Sequence, residues 1–218
     1  MTPDLFEAVS QPSAPWVEAL EPGAMVLRQF ASSRDAELLD AVVQVGAISP
    51  FRHMVTPGGF RMSVAMTNCG ELGWVTDRSG YRYDTIDPLT GEHWPRMPDA
   101  FSSLAAEAAA KAGFGGFTPD ACLINRYEAG TRLSLHQDRD ERDHGQPIVS
   151  VSLGIPAVFL WGGPRRADKA RRLPLGHGDV VVWGGPARLH HHGVLPLKEG
   201  THPFMDDRRI NLTFRKAG

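Results

Sequence analysis

Cysteine is nearly absent from the 218 residues: only Cys69 and Cys122 occur, far apart and in no paired motif. That excludes a disulfide framework and a cysteine-built zinc knuckle, and it fits a reducing cytoplasm. Long apolar runs are missing too. No stretch approaches 18 consecutive apolar residues, so no membrane-spanning helix is expected. Met1 to Gln11 carry Asp4 and Glu7 in place of the basic and apolar regions of an export signal. An excess of one charge is lacking as well, since 23 basic residues face 25 acidic ones and the formal net charge is -2. Nucleic acid cannot then be held by bulk charge, and no like-charge tract marks a disordered tail. There is no internal repeat. What is present is 42% hydrophobic residues, enough for one domain spanning 1-218 to bury its core as a monomer. A local basic stretch, Pro164 to Arg172, holds five Lys or Arg in nine residues; it reads either as a nucleic-acid footprint or as a solvated loop.

Two helices are expected in the first half. Ser32 could cap one that runs through Val45, with Asp35 three residues on, Leu38, Leu39, Val42 and Val43 on its apolar face, and Gly46 as its stop. The second runs from about Pro98 to Ala112, with Phe101, Leu104, Ala105 and Ala108 on one face and Gly113 after it. From Ala121 onward the pattern changes to short β-type runs: Ala121–Tyr127, Ile148–Leu153, Ala157–Trp161, Asp179–Trp183 and Ile210–Arg215. A mainly β protein with N-terminal helices follows, its strands forming an antiparallel sandwich or jelly roll. Residues 50 to 98, rich in Gly, Pro, Thr and aromatics, are too long for an idle connection and read as a lid of short strands and loops.

The chemistry-bearing run is Leu133-Ser134-Leu135-His136-Gln137-Asp138. In an extended segment, residues two apart share a face, so His136 and Asp138 could grip one metal ion. A lone His-x-Asp is weak and needs a third ligand. Arg188-Leu189-His190-His191-His192-Gly193 offers three histidines, and the residues alone leave the choice among them open. Two histidines and one carboxylate make the facial triad of non-haem Fe(II) oxygenases. In Arg209-Ile210-Asn211-Leu212-Thr213-Phe214-Arg215 the apolar residues alternate with polar ones. Arg209, Asn211, Thr213 and Arg215 therefore share a face. Their arginines, roughly 20 Å apart along the strand, could hold a short dicarboxylate from both ends. A zinc hydrolase or a non-catalytic metal-binding barrel would need no such clamp.

These motifs, together with Met54-Val55-Thr56-Pro57-Gly58-Gly59, Met62 to Gly70, Leu123-Ile124-Asn125-Arg126-Tyr127 and Val180 to Gly185, closely resemble the AlkB family of DNA-repair dioxygenases from about Asp4 to Ala217. The resemblance implies a double-stranded β-helix over roughly 121-218, preceded over roughly 1-120 by an extension and a nucleotide-recognition lid. It implies Fe(II), 2-oxoglutarate and O2 as cofactors, with His136, Asp138 and His192 as metal ligands and catalytic residues. His192 is selected because it directly precedes Gly193. Asn125, Tyr127, Arg209, Asn211 and Arg215 match the 2-oxoglutarate pocket. Trp74, Tyr81, Tyr83, Asp140 and Arg166 match residues that hold the damaged nucleotide, and Leu160 and Trp161 fall near that pocket. The implied reaction is oxidative dealkylation of bases such as 1-methyladenine and 3-methylcytosine, in DNA, preferentially single-stranded, with RNA or a protein side chain as the nearest competing substrates. The remaining histidines, His53, His93, His144, His177 and His202, read as isolated surface residues, and Tyr83 and Trp94 also read as packing groups.

Overall fold

The computed structural model describes residues 14–218, so the expectation about an export signal in Met1 to Gln11 lies outside the described residues. The first half holds β1 (Trp16–Glu21), β2 (Ala24–Arg28), α1 (Asp35–Ile48), β3 (Ala65–Gly70), β4 (Gly73–Asp77), β5 (Gly80–Asp84) and α2 (Asp99–Lys111). The second half holds β6 (Ala121–Tyr127), β7 (Leu133–His136), β8 (Ile148–Gly154), β9 (Ala157–Trp161), β10 (Arg171–Leu175), β11 (Val180–Trp183), β12 (His192–Val194) and β13 (Arg209–Arg215). The strands form a seven-stranded sheet in the order β1-β2-β11-β8-β13-β6-β3, a four-stranded sheet β10-β9-β12-β7, and a separate β4-β5 hairpin. The five expected strands are present with ends shifted by a residue at most. The fold is mainly β with few helices, as expected.

Helix α1 departs from its expected ends. Ser32 opens a short 3-10 turn over Ser32–Arg34 and caps nothing, because the α-helix begins only at Asp35. Gly46 does not stop the helix either; the chain stays helical to Ile48, and the site of its absent Cβ lies 3.3 Å from the Phe51 ring, where a side chain would crowd the end of the helix. Helix α2 matches its expectation, and Gly113 follows it at φ +89.

The large sheet ignores a boundary at residue 120. Strands β1 and β2 extend it beside β11, and β3 pairs residue for residue with β6, so part of the expected lid is sheet. Strand β13 lies in the middle of this sheet, between β8 and β6. One face of β13 sends Ile210, Leu212 and Phe214 into a core shared with Leu38, Phe101 and Leu104 of the helices. Phe101 and Phe214 meet edge to face at 5.8 Å. The other face looks toward the small sheet, where Val26, Tyr127, Val181 and Trp183 pack against Phe159, Leu173 and Val194. The polar row of β13 is buried on that side because its neighbours are polar in register. Asn211 donates to Ser150 Oγ at 2.8 Å and to Val151 O at 2.9 Å, and it accepts from Thr213 Oγ1 at 2.9 Å.

Residues 49 to 94 are pinned to this frame by Asp87, whose side chain is 1% exposed and pairs with Arg52. Asp87 also accepts from Ser49 Oγ at 2.5 Å and from the Leu89 N–H at 2.8 Å. Burial alone would raise its pKa, but the bonds from Arg52, Ser49 and Leu89 outweigh it and hold the carboxyl below its ordinary value. A depressed folded-state pKa adds stability above the ordinary carboxylate range that is lost as the pH falls through the folded value. Asp87→Ala is expected to cost about 3 kcal/mol at neutral pH, because Arg52 loses its buried partner. Urea unfolding should show that gap narrowing as the pH is lowered.

Candidate active site

His136 ends β7 and His192 opens β12, and the two are register partners in neighbouring antiparallel strands. Gly193 allows the close approach: a Cβ there would sit 2.8 Å from Leu133 O on β7. The two imidazole centroids are therefore 4.4 Å apart. Asp138 follows β7, with Oδ1 3.7 Å from His136 Nε2 and Oδ2 3.7 Å from His192 Nε2. Among the described residues this trio forms a group able to hold a metal ion, its ligand atoms all within 4.8 Å of one another.

Each histidine is oriented by the backbone. His136 Nδ1 lies 2.8 Å from Ser134 O and His192 Nδ1 lies 3.1 Å from His190 O, so both Nδ1 atoms donate and both Nε2 lone pairs face inward. Burial, with His136 next to it, pushes His192 down to about 3, so it is a neutral ligand at pH 7. Burial opposes the Asp138 charge, but Arg215 and the two histidines outweigh it and hold the carboxyl well below the usual range. His190 and His191 point elsewhere: His190 Nδ1 lies 3.2 Å from Glu21, and His191 Nδ1 lies 3.3 Å from Gly163 O.

The carboxylate is itself held in place. Arg215 donates to Asp138 Oδ2 through Nε at 2.9 Å and Nη2 at 2.7 Å, and its Nε lies 3.2 Å from Glu141 Oε1. Arg188 spans Asp138 O at 2.8 Å and Glu141 Oε2 at 3.0 Å. Glu141 and Arg188 were not legible as site residues, although Glu141 lies only three residues after Asp138. The two arginines, both expected at the 2-oxoglutarate pocket, line the same cavity but differ in their protein partners. Arg215 is bound to a protein carboxylate, whereas Arg209 meets none among the described residues. Arg209 is 1% exposed and donates from Nη2 to Ser152 Oγ at 2.9 Å, with its Cζ 4.8 Å from the Tyr127 ring. Among the described residues its Nε and Nη1 have no hydrogen-bond partner, and neither does the nearby Asn125 Oδ1. Burial lowers the Arg209 pKa and pushes Tyr127 up to about 12. A buried cation with two unused donors is costly unless an anion arrives.

Triad and arginines open onto one cavity of ≈ 820 Å³, which also reaches Trp74, Tyr81, Tyr83, Asp140 and Arg166. Trp74 on β4 and Tyr81 on β5 stack at 5.7 Å and 18°. Trp74 Nε1 donates to Asp140 Oδ2 at 2.8 Å, and Tyr83 OH donates to Glu141 at 2.7 Å, which ties the hairpin to the metal group. Burial raises the Tyr83 pKa well above its usual value, so the hydroxyl stays protonated. Of the basic stretch, Arg166 borders the cavity and donates to Leu135 O at 2.7 Å, while Arg165 pairs with Asp168 and Arg171 and Arg172 open β10. Trp161 does not line the cavity; its ring meets that of Trp183, which does, edge to face at 5.9 Å. His177 and His202 are not isolated; their rings stack at 4.4 Å, and His177 meets Asp35 at 3.0 Å.

The donor set fits Fe(II), and the unused Arg209 donors fit a carboxylate at the far end of the same cavity. The 2OG-Fe(II) oxygenase superfamily model matches residues 23–215. The chain is 60% identical to the alpha-ketoglutarate-dependent dioxygenase AlkB of Salmonella typhimurium and 58% identical to that of Escherichia coli, over 94% of each chain in both cases. It superposes on the solved structure of OsALKBH1 with a TM-score of 0.81 and 30% identity, covering 92% of this chain and 99% of that one. Family model, relatives and site geometry agree that the chain belongs to the 2OG-Fe(II) oxygenase superfamily, as an alpha-ketoglutarate-dependent dioxygenase of the AlkB family.

Proposed function

We propose that this enzyme removes alkyl groups from N-alkylated bases of DNA, single-stranded DNA above all, by oxidising the alkyl carbon. The observation that supports this most is the stacked Trp74–Tyr81 pair, bonded to Asp140, over a cavity that ends on His136, Asp138 and His192. An aromatic platform beside a carboxylate suits a flat cationic base turned out of its stack. In this reading the two sheets are a double-stranded β-helix and the β4-β5 hairpin with its flanking loops is the nucleotide-recognition lid. The protein works as a monomer in the cytoplasm, where Cys69 and Cys122 remain free thiols. Among the described residues, no helix is long and apolar enough to cross a membrane.

His136, Asp138 and His192 hold the iron. Arg209 takes the distal carboxylate of 2-oxoglutarate, with Asn125, Tyr127 and Asn211 lining its bed, and Arg215 fixes the Asp138 end. When bound, iron, 2-oxoglutarate and O2 supply a two-electron oxidation coupled to decarboxylation of 2-oxoglutarate to succinate and CO2. The lid places the alkyl carbon against the triad and excludes water. The hydroxyalkyl base then releases an aldehyde, and a cationic base is a good leaving group in that step.

Anaerobic loading with Fe(II), followed by air and a methylated oligonucleotide, should yield succinate and formaldehyde together. Turnover of methylated peptides with oligonucleotides left untouched would refute the substrate assignment. Arg209→Ala should raise the apparent 2-oxoglutarate requirement by about two powers of ten, since losing one partner of a buried charged pair costs about 3 kcal/mol. Oligonucleotide affinity should change little. Titration of each ligand separately checks this.

A further inference from the structure

A file of oxidisable rings starts at Trp183 on the cavity wall beside the triad and leads to Trp161 and His190, which do not line the cavity. The His192 ring lies 4.9 Å from Trp183, Trp183 lies 5.9 Å from Trp161, and Trp161 lies 5.5 Å from His190. Both indoles are buried, at 1% and 2% exposure. The far end meets solvent through Glu21, whose side chain is 33% exposed. Trp161 Nε1 donates to Glu21 Oε1, and His190 Nδ1 lies 3.2 Å from the same oxygen. Packing alone does not require a carboxylate on a buried indole.

The two tryptophans differ in one respect that gives the file a direction. An indole that loses an electron becomes a strong acid at its N–H. Trp183 Nε1 is buried with no hydrogen-bond partner among the described residues, so an electron hole on that ring has no protein acceptor beside it for its proton. Trp161 has one, because Glu21 already accepts its N–H. A hole passing from Trp183 to Trp161 is therefore trapped at the outer ring. Trp74 and Tyr83 of the cavity also donate to carboxylates, but among the described residues no ring contact joins either to the file, and two rings nearer to it do not compete. Phe159, 6.2 Å from Trp161 and 5.9 Å from His192, is too hard to oxidise. Tyr127 lies under the Arg209 cation, which disfavours a positive hole there.

We propose that Trp183, Trp161 and Glu21 form an exit for oxidising equivalents generated when the cavity holds no substrate. With iron held by His136, Asp138 and His192, an oxidant formed there from O2 and 2-oxoglutarate would take one electron from Trp183 and would itself be reduced by one electron. Trp161 refills Trp183, and its N–H proton passes to Glu21, leaving a neutral tryptophanyl radical. A donor of one electron and one proton, of the thiol or ascorbate class, restores the indole from solution. The inference rests on the oxygenase chemistry of the family and is independent of the substrate's identity.

The test uses the iron-loaded enzyme with 2-oxoglutarate and O2 and no oligonucleotide, frozen at intervals for electron paramagnetic resonance. A tryptophanyl radical is expected in the native enzyme, absent in Trp161→Phe and diminished in Glu21→Gln. Peptide mass spectrometry should show several-fold more oxygen added to residues around the cavity in Trp161→Phe. Ascorbate should suppress that damage in the native enzyme but not in the variant. Glu21→Gln changes a partly exposed side chain and keeps an acceptor for the indole, so it decides the matter if Trp161→Phe unfolds. An unchanged radical yield in Glu21→Gln, or equal cavity damage in native and Trp161→Phe enzymes with an equal response to ascorbate, would overturn the proposal.

Discussion

His192→Ala should abolish turnover and weaken iron binding by more than the 10–100-fold typical of losing a group that merely supports a ligand. His190→Ala and His191→Ala, two positions and one position away, should keep substantial activity. All three side chains are buried, so burial alone does not separate them. Register does. His192 faces His136 across the β12–β7 pair and comes within 3.7 Å of Asp138, whereas its two neighbours turn toward Glu21 and Gly163 O. Because His192 is neutral down to about pH 3, its contribution should persist through the mildly acidic range. Iron-binding titrations on the three variants check the assignment. Loss of iron in His191→Ala with retention in His192→Ala would reverse it.

The same run of histidines shows where local pattern stops being informative. The alternation in β13 was legible because a strand has a period of two and one face meets the helices. The burial of all seven residues was not legible, since it depends on Ser150, Ser152 and Asn125 arriving in register from other strands. His136 and Asp138 were readable as a pair, but the third ligand came only from family resemblance, because strand pairing, not spacing, selects it. Ser32 and Gly46 misled because each has the right local chemistry for a helix end. Tertiary packing set α1 to start later and run longer. Glu141 and Arg188 carry no motif of their own and acquire their roles only through contact with Arg215 and Asp138.

The substrate reading makes the sharpest demand on rates. A near-neutral chain should bind unmodified duplex weakly and lose affinity as salt rises, so discrimination has to come at the turned-out base. A methyl group on the pairing edge breaks the base pair in advance and lowers the cost of extrusion. Where it also leaves the base cationic, as in 1-methyladenine and 3-methylcytosine, the Trp74 and Tyr81 rings and the Asp140 carboxylate all favour it. The neutral lesion 3-methylthymine gains only the stacking. Both cationic lesions should therefore be demethylated much faster than 3-methylthymine in single-stranded DNA, with the margin reduced by salt because Asp140 is exposed. Trp74→Ala removes the ring under the base and frees Asp140 from its indole donor, so repair should slow while the slow oxidation of 2-oxoglutarate without substrate continues. Formaldehyde release from the three lesions, measured beside succinate in the absence of oligonucleotide, separates these effects. Equal rates on cationic and neutral lesions would remove the charge from the account and leave Asp140 only the task of holding Trp74.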